Sequence, residues 1–95
     1  MGIKIKKSEL PLIGLKYKGE RELEFETEEV DGYYRLVDGR FHICIYAESR
    51  EELERELLEE VKVMWECYVL ASDDVLTKEA IRLKQRLKRV FREVE

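Results

Sequence analysis

The sequence predicts an α+β fold, in which an antiparallel β-meander of about four strands is followed by two helices, the first long helix packed across the sheet. Three observations lead to this prediction. Apolar residues recur with period two over the first half of the chain and with a period near 3.6 after Glu48. An Asp38-Gly39 pair separates two alternating runs, as is typical of a β-hairpin. A length of 95 residues suits one domain, so we predict a single α+β domain over residues 1–95.

The first two strands are predicted from alternation on either side of a short glycine-containing loop. Their apolar residues are Ile13, Leu15, Tyr17, Leu23 and Phe25. A hairpin loop of residues 18–20 would pair Leu15 with Leu23 and would keep the apolar side chains on one face. Residues 2–6 also alternate, over a stretch too short to assign.

The next hairpin is predicted at Asp38-Gly39, which would supply two positive φ angles in a type I′ turn. A two-residue loop would pair Leu36 with Phe41 on the core face. The opposite face would carry Tyr33, Arg35, Val37, His42, Cys44 and Tyr46. Asp31-Gly32 marks the preceding turn, for which we expect a four-residue loop that keeps Phe25 and Thr27 on the core side.

Two helices follow. Ser49 with Glu52 forms a capping box, so the first helix should begin at Arg50. Its apolar stripe comprises Leu53, Leu57, Val61, Met64 and Tyr68, widened by Leu58 and Trp65. Between Met64 and Ala71 only Glu66 is charged, which predicts more complete burial at that end. Thr77 would cap the second helix, whose stripe comprises Ala80, Leu83, Leu87, Val90 and Val94, with Ile81 and Phe91 beside it.

Composition limits the class of protein. The chain is 44% hydrophobic and 42% charged with a net charge of −4, and it has no apolar run of about 20 residues that could span a membrane. We therefore expect a cytoplasmic protein. Abundant charges with no asparagine and a single glutamine, Gln85, indicate a thermophilic source. Cys44 and Cys67 form no CxxC pair, so we expect reduced, buried thiols.

Few residues are candidates for catalysis or metal binding. His42 and Cys44 should project from the same face of one strand, where a nucleophile and a base would be neighbours, but no third group orients them. One histidine and one cysteine also fall short of the usual metal-ligand set. We interpret the glutamates of the first helix as its solvated face. We predict no catalytic residues, no metal site and no cofactor.

The second helix is strongly basic. Lys78, Arg82, Arg86 and Arg89 follow one face and could neutralise several phosphates. Alternatively, this helix lies along the acidic helix of residues 50–66 and compensates its charge. We favour internal compensation, because no aromatic stacking platform accompanies the basic residues.

Residues 33–62, and the junction Ala47-Glu48-Ser49-Arg50-Glu51-Glu52-Leu53 in particular, resemble the core of small HicB-like proteins. The resemblance implies an antiparallel sheet packed against a helix, in a group whose better-known members neutralise an RNA-cleaving toxin. The chain lacks the Asp-Leu-Pro-Gly loop usual in that group and has no room for a separate DNA-binding domain. Residues 65–87 look instead like short uncharacterised prokaryotic proteins.

The sequence therefore favours a non-catalytic interaction module with an antitoxin-like fold that self-associates as a homodimer, with a small protein as a further possible partner. The residues predicted at the interface are Trp65, Tyr68, Tyr33 and Tyr46. A nucleic-acid (RNA or DNA) binding module that uses the basic helix is the second hypothesis. A small enzyme that uses the Cys44–His42 pair is the third.

Overall fold

The computed structural model describes residues 2–5, 10–19 and 23–94 and has the predicted α+β architecture. The strands are β1 (Gly2–Ile5), β2 (Leu15–Tyr17), β3 (Leu23–Val30), β4 (Tyr33–Asp38), β5 (Ile43–Ala47) and β6 (Phe91–Glu93). The helices are α1 (Arg50–Met64) and α2 (Lys78–Val90), and 3₁₀ turns cover Leu10–Ile13 and Asp73–Val75. Four strands form an antiparallel sheet in the order β1-β3-β4-β5, and β2 pairs with β6 in a separate two-stranded sheet.

The predicted pairing of the first hairpin is wrong. The partner of β3 is β1, with Ile3 opposite Phe25, so the short N-terminal alternation is the true first strand of the sheet. β2 instead pairs with the C-terminal strand β6, with Tyr17 opposite Phe91. Glu20, in the predicted loop, lies outside the described residues. The alternation of residues 13–17 identified a strand but not its partner.

The two later hairpins keep their predicted faces but change their loops. Asp31 and Gly32, at φ 50° and 85°, close a two-residue turn in place of the expected four-residue loop. Leu36 pairs with Ile45 rather than Phe41. The connection is therefore a four-residue loop over residues 39–42, and it is His42, not Gly39, that adopts a positive φ of 54°. Because the shift is even, the apolar residues stay on the core face.

The core lies between the sheet and α1. As predicted, α1 begins at Arg50, where the Ser49 hydroxyl accepts a hydrogen bond from the Glu52 amide at 3.2 Å. Leu53, Leu57 and Val61 are fully buried, and each contributes about 1.5–3 kcal/mol of hydrophobic stabilisation. The sheet contributes Ile3, Leu23, Phe25, Leu36, Ile43 and Ala47 to this core.

After Met64 the backbone continues as a π-helical turn, Trp65–Val69, in which the Leu70 amide donates to the Trp65 carbonyl. α2 packs against this turn. The expectation that residues 64–71 are buried more completely than a surface helix is wrong, because Cys67 and Leu70 are exposed. α2 begins after Thr77, whose hydroxyl caps the Ala80 amide as predicted. It ends at Val90, before the predicted stripe reaches Val94, because residues 91–93 join β2 as a strand.

Candidate functional site

His42 and Cys44 do not form a pair. His42 lies in the β4–β5 loop and lines a small groove with Glu79, Arg82, Leu83 and Arg86 of α2. Cys44 lies on the opposite side of the sheet, directly across from Val37 on β4. The left-handed backbone of His42 breaks the alternation on which the predicted juxtaposition depended. A nucleophile and a base are therefore not brought together at these positions.

The two cysteines are exposed, which corrects the expectation of buried thiols. Cys44 faces outward from β5, and Cys67 lies on the π-helical turn. Among the described residues, no group of three or more histidine, cysteine or acidic side chains is arranged to hold a metal ion. Within the same residues, no helix has the length and apolar character needed to cross a bilayer.

The outer face of the four-stranded sheet is the main apolar surface outside the core. It is the face away from α1, and its exposed residues on β4 and β5 include Tyr33 (49%), Val37 (54%), Tyr46 (56%) and Cys44. Val30 on β3, opposite Tyr33, extends this surface. We call Val30, Tyr33, Val37, Cys44 and Tyr46 the outer patch. The sequence predicted its membership, apart from Val30, from the alternation of β4 and β5.

Acidic residues border the outer patch. Glu24, Glu26 and Glu28 alternate along β3 and are all exposed. Glu28 forms an ion pair with Arg35, which lies directly across from it on β4. Shallow grooves run between this acidic strip and Val37. On the β5 side, Cys44 and Tyr46 line a further groove with glutamates of α1, so acidic residues border the patch on both sides.

Two of the four residues predicted at an interface belong to the outer patch, namely Tyr33 and Tyr46. The other two lie elsewhere. Trp65 is 8% exposed and its indole Nε1 donates to Glu93 Oε1 at 3.0 Å, so it ties the end of α1 to β6. Tyr68 is half-buried against the core. The structure thus separates the predicted aromatic residues into an inner pair and a surface pair.

A buried carboxylate organises the loop beside the outer patch. Asp38 is 7% exposed and accepts from the Arg40 amide at 2.8 Å and from the Arg40 guanidinium at 2.8 Å. The guanidinium also donates to the Glu24 carbonyl and lies over the rings of Phe25 and Phe41. Hydrogen bonding to Asp38 raises the pKa of Arg40, which keeps the guanidinium charged. These contacts indicate a structural role.

The predicted basic residues all lie on the exposed side of α2. Lys78, Arg82, Arg86 and Arg89 are exposed, and Arg86 donates to the Arg40 carbonyl. α2 packs against the π-helical turn rather than along α1, so the expected compensation by the acidic helix does not occur among the described residues. The only α2 base in an ion pair there is Lys84, with Asp73 at 2.8 Å.

No protein-family model, curated protein or solved structure matches this chain. The resemblance of residues 33–62 to HicB-like proteins stays a prediction. The two candidate functional surfaces of the chain are the outer patch and the basic side of α2.

Proposed function

We propose that this protein is a small non-catalytic interaction module that self-associates through the outer patch. The observation that carries the proposal is a sheet face left uncovered by both helices, on which Tyr33, Val37 and Tyr46 are each about half exposed. An antiparallel sheet with one solvated face normally has polar residues on that face. Apolar side chains clustered on one exposed face of a small protein mark an interaction site, and here they surround Arg35, which lies across from Tyr46.

The form of the patch, an exposed sheet face, favours a second copy as the occupant. The exposed glutamates of β3 border it on one side, and glutamates of α1 lie beside it at β5 on the other. If a twofold axis runs along the strands over β4 and β5, the two outer patches face each other while the acidic side chains of both copies stay at the solvated rims. Face-to-face sheets pack about 10 Å apart, so the tyrosines and valines of the two copies can interdigitate. Closed twofold pairing is also the commonest arrangement of homo-oligomers.

Aromatic residues supply the anchors of this interface. Tyrosine buries a large ring at low conformational cost while its hydroxyl stays accessible to water at the rim. Tyr33 and Tyr46 take this role, whereas Trp65 is already buried within the chain and supports the fold. The free thiols are consistent with a reducing compartment, and we extend the proposal to a cytoplasmic location.

The two exposed cysteines provide a direct test. Cys44 lies in the outer patch, and Cys67 lies on the π-helical turn away from it. A Cys67→Ser variant retains only the thiol in the patch, so a short bis-maleimide reagent should link two chains in high yield. The matched Cys44→Ser variant retains only the thiol outside the patch and should stay largely monomeric on a denaturing gel.

Equal cross-linking of the two variants, or cross-linking only through Cys67, would contradict an interface at the outer patch. Loss of the Cys44-dependent product on dilution would give the concentration at which the dimer dissociates. If the Cys67→Ser chain is never linked to a second copy, the self-association proposal fails, and the patch would have to bind a different protein.

A further inference from the structure

The exposed side of α2 carries a linear array of positive charge. Lys78, Arg82, Arg86 and Arg89, which we call the basic stripe, are spaced by four, four and three residues and so share one helix face. At 1.5 Å per residue the stripe extends over about 16 Å. All four residues are exposed.

The charges of the stripe are not neutralised within the described part of the chain. None of the ion pairs found there includes a residue of the stripe. Arg86 donates to the Arg40 carbonyl, which is a neutral acceptor, and Glu79 lines a groove with Arg82 and Arg86 without forming an ion pair among the described residues. The stripe is thus a basic surface that has no ion-pair partner in residues 2–5, 10–19 and 23–94, on a chain whose net charge is −4.

A second basic feature adjoins the stripe. Lys16 on β2 and Arg92 on β6 are directly opposite each other, and both are exposed. Like charges at directly opposed positions destabilise a strand pair. Since β6 follows α2 directly, this pair lies at the C-terminal end of the stripe. A bound anion would relieve the repulsion between the two cations.

We infer that the basic stripe, extended by Lys16 and Arg92, binds the sugar–phosphate backbone of a nucleic-acid duplex. Guanidinium groups donate in a fork that matches phosphate oxygens, and three of the four stripe residues are arginines. A series of cations along a rigid helix suits a regular series of phosphates. This function is separate from self-association, because α2 and the outer patch lie on opposite sides of the four-stranded sheet.

Other polyanions fit less well. An interfacial membrane helix needs an apolar face free to enter the lipid, but Leu83 and Leu87 of α2 are buried in the chain. Binding to single strands relies on exposed aromatic rings on which bases stack. The aromatic residues nearest the C-terminal end of the stripe are Phe91, which is buried, and Tyr17, which packs against it. The contacts are therefore to phosphates, without base recognition.

The test is fluorescence anisotropy with a short labelled DNA duplex, from about 50 to about 200 mM NaCl. Four to six phosphate contacts predict a slope of log K against log salt of about −4 to −5. Arg82→Gln combined with Arg89→Gln removes two contacts, so the slope should become shallower by about 2 and the affinity should fall at least tenfold. Lys78→Gln combined with Arg89→Gln provides a second variant that keeps Arg82 intact.

The matched control is Arg55→Gln combined with Lys62→Gln, which removes the same charge from exposed positions on α1. The control should bind the duplex almost as the unmodified protein does. Absence of binding at about 50 mM NaCl, or equal losses in the stripe and control variants, would overturn the inference. So would tighter binding to a single strand, to poly-glutamate or to phosphatidylserine vesicles than to the duplex.

Discussion

The side-chain ammonium of Lys18 donates a hydrogen bond to the carbonyl oxygen of Lys88, 70 residues later, at 2.6 Å. The Lys18 backbone amide donates to the Val90 carbonyl at 2.9 Å. Both acceptors lie in the last turn of α2, where carbonyls have no partner within the helix. A positive charge there also complements the helix dipole. Lys18 therefore caps α2 and holds it beside β2.

Replacing Lys18 by Met should lower the free energy of unfolding by about 0.5–1 kcal/mol, because one hydrogen bond and one favourable dipole interaction are lost at an exposed site. Urea denaturation measures the change. Lys16→Met, on the adjoining strand β2, is the control and should be neutral or slightly stabilising, since Lys16 opposes Arg92. Equal effects of the two changes would show that Lys18 does not cap the helix.

The pairing of β2 with β6 explains where prediction from the sequence failed. Phe91 continues the apolar stripe of α2 at a four-residue interval from Leu87, so its pattern reads as helix. In the structure, Phe91 is fully buried opposite Tyr17 as the first residue of a strand. Local periodicity is the same for both arrangements. The pairing of Tyr17 with Phe91 decides between the two arrangements, and no local pattern predicts a pairing between residues so distant in sequence.

The β4–β5 loop gives a test of the corrected turn. His42 has a φ of 54°, a conformation that β-branched residues resist, so His42→Val should lower the free energy of unfolding by about 1–2 kcal/mol. Gly39 has no positive φ, and a Cβ added there would meet open space. Gly39→Val should therefore change stability by no more than about 0.5 kcal/mol.

Thermal or urea unfolding of the two variants distinguishes the loops. A large loss in the free energy of unfolding for Gly39→Val, with no change for His42→Val, would support the two-residue turn that the Asp-Gly pair predicts. The sequence signal at Asp38-Gly39 marked the position of the reversal correctly. The signal did not predict the loop length, because the Asp38 carboxylate accepts a hydrogen bond from the Arg40 amide and Asp38-Gly39 does not form a two-residue turn.

Asp38 should be among the polar residues most important for stability. Asp38→Ala removes the acceptor of the Arg40 amide and guanidinium, and we expect a loss of about 2 kcal/mol in the free energy of unfolding. Asp38→Asn keeps one acceptor oxygen at similar volume and should cost about half as much. Denaturant titration of both variants is the measurement, and an Asp38→Ala variant as stable as the unmodified protein would contradict this role.

The two candidate surfaces differ in how much of them the sequence revealed. The composition of the basic stripe follows from helical spacing alone, and all four predicted residues are exposed. The absence of an ion-pair partner for the stripe in the described part of the chain does not follow from the sequence, because the position of α2 is set by apolar packing on the π-helical turn rather than by charge. For the outer patch, alternation placed Tyr33 and Tyr46 on the far side of the hairpin, whereas Trp65 is covered by contacts distant in sequence.

Sedimentation equilibrium tests the central claim, self-association through the outer patch, most directly. The apparent mass of the unmodified protein should rise with concentration from near 11.4 kDa towards twice that mass. Tyr46→Lys places a charge in the patch and should weaken the dimer at least tenfold. Val75→Lys, at a position that is 75% exposed outside the patch, should behave like the unmodified chain. A mass that stays near 11.4 kDa at every concentration, or equal effects of the two lysines, would contradict the account.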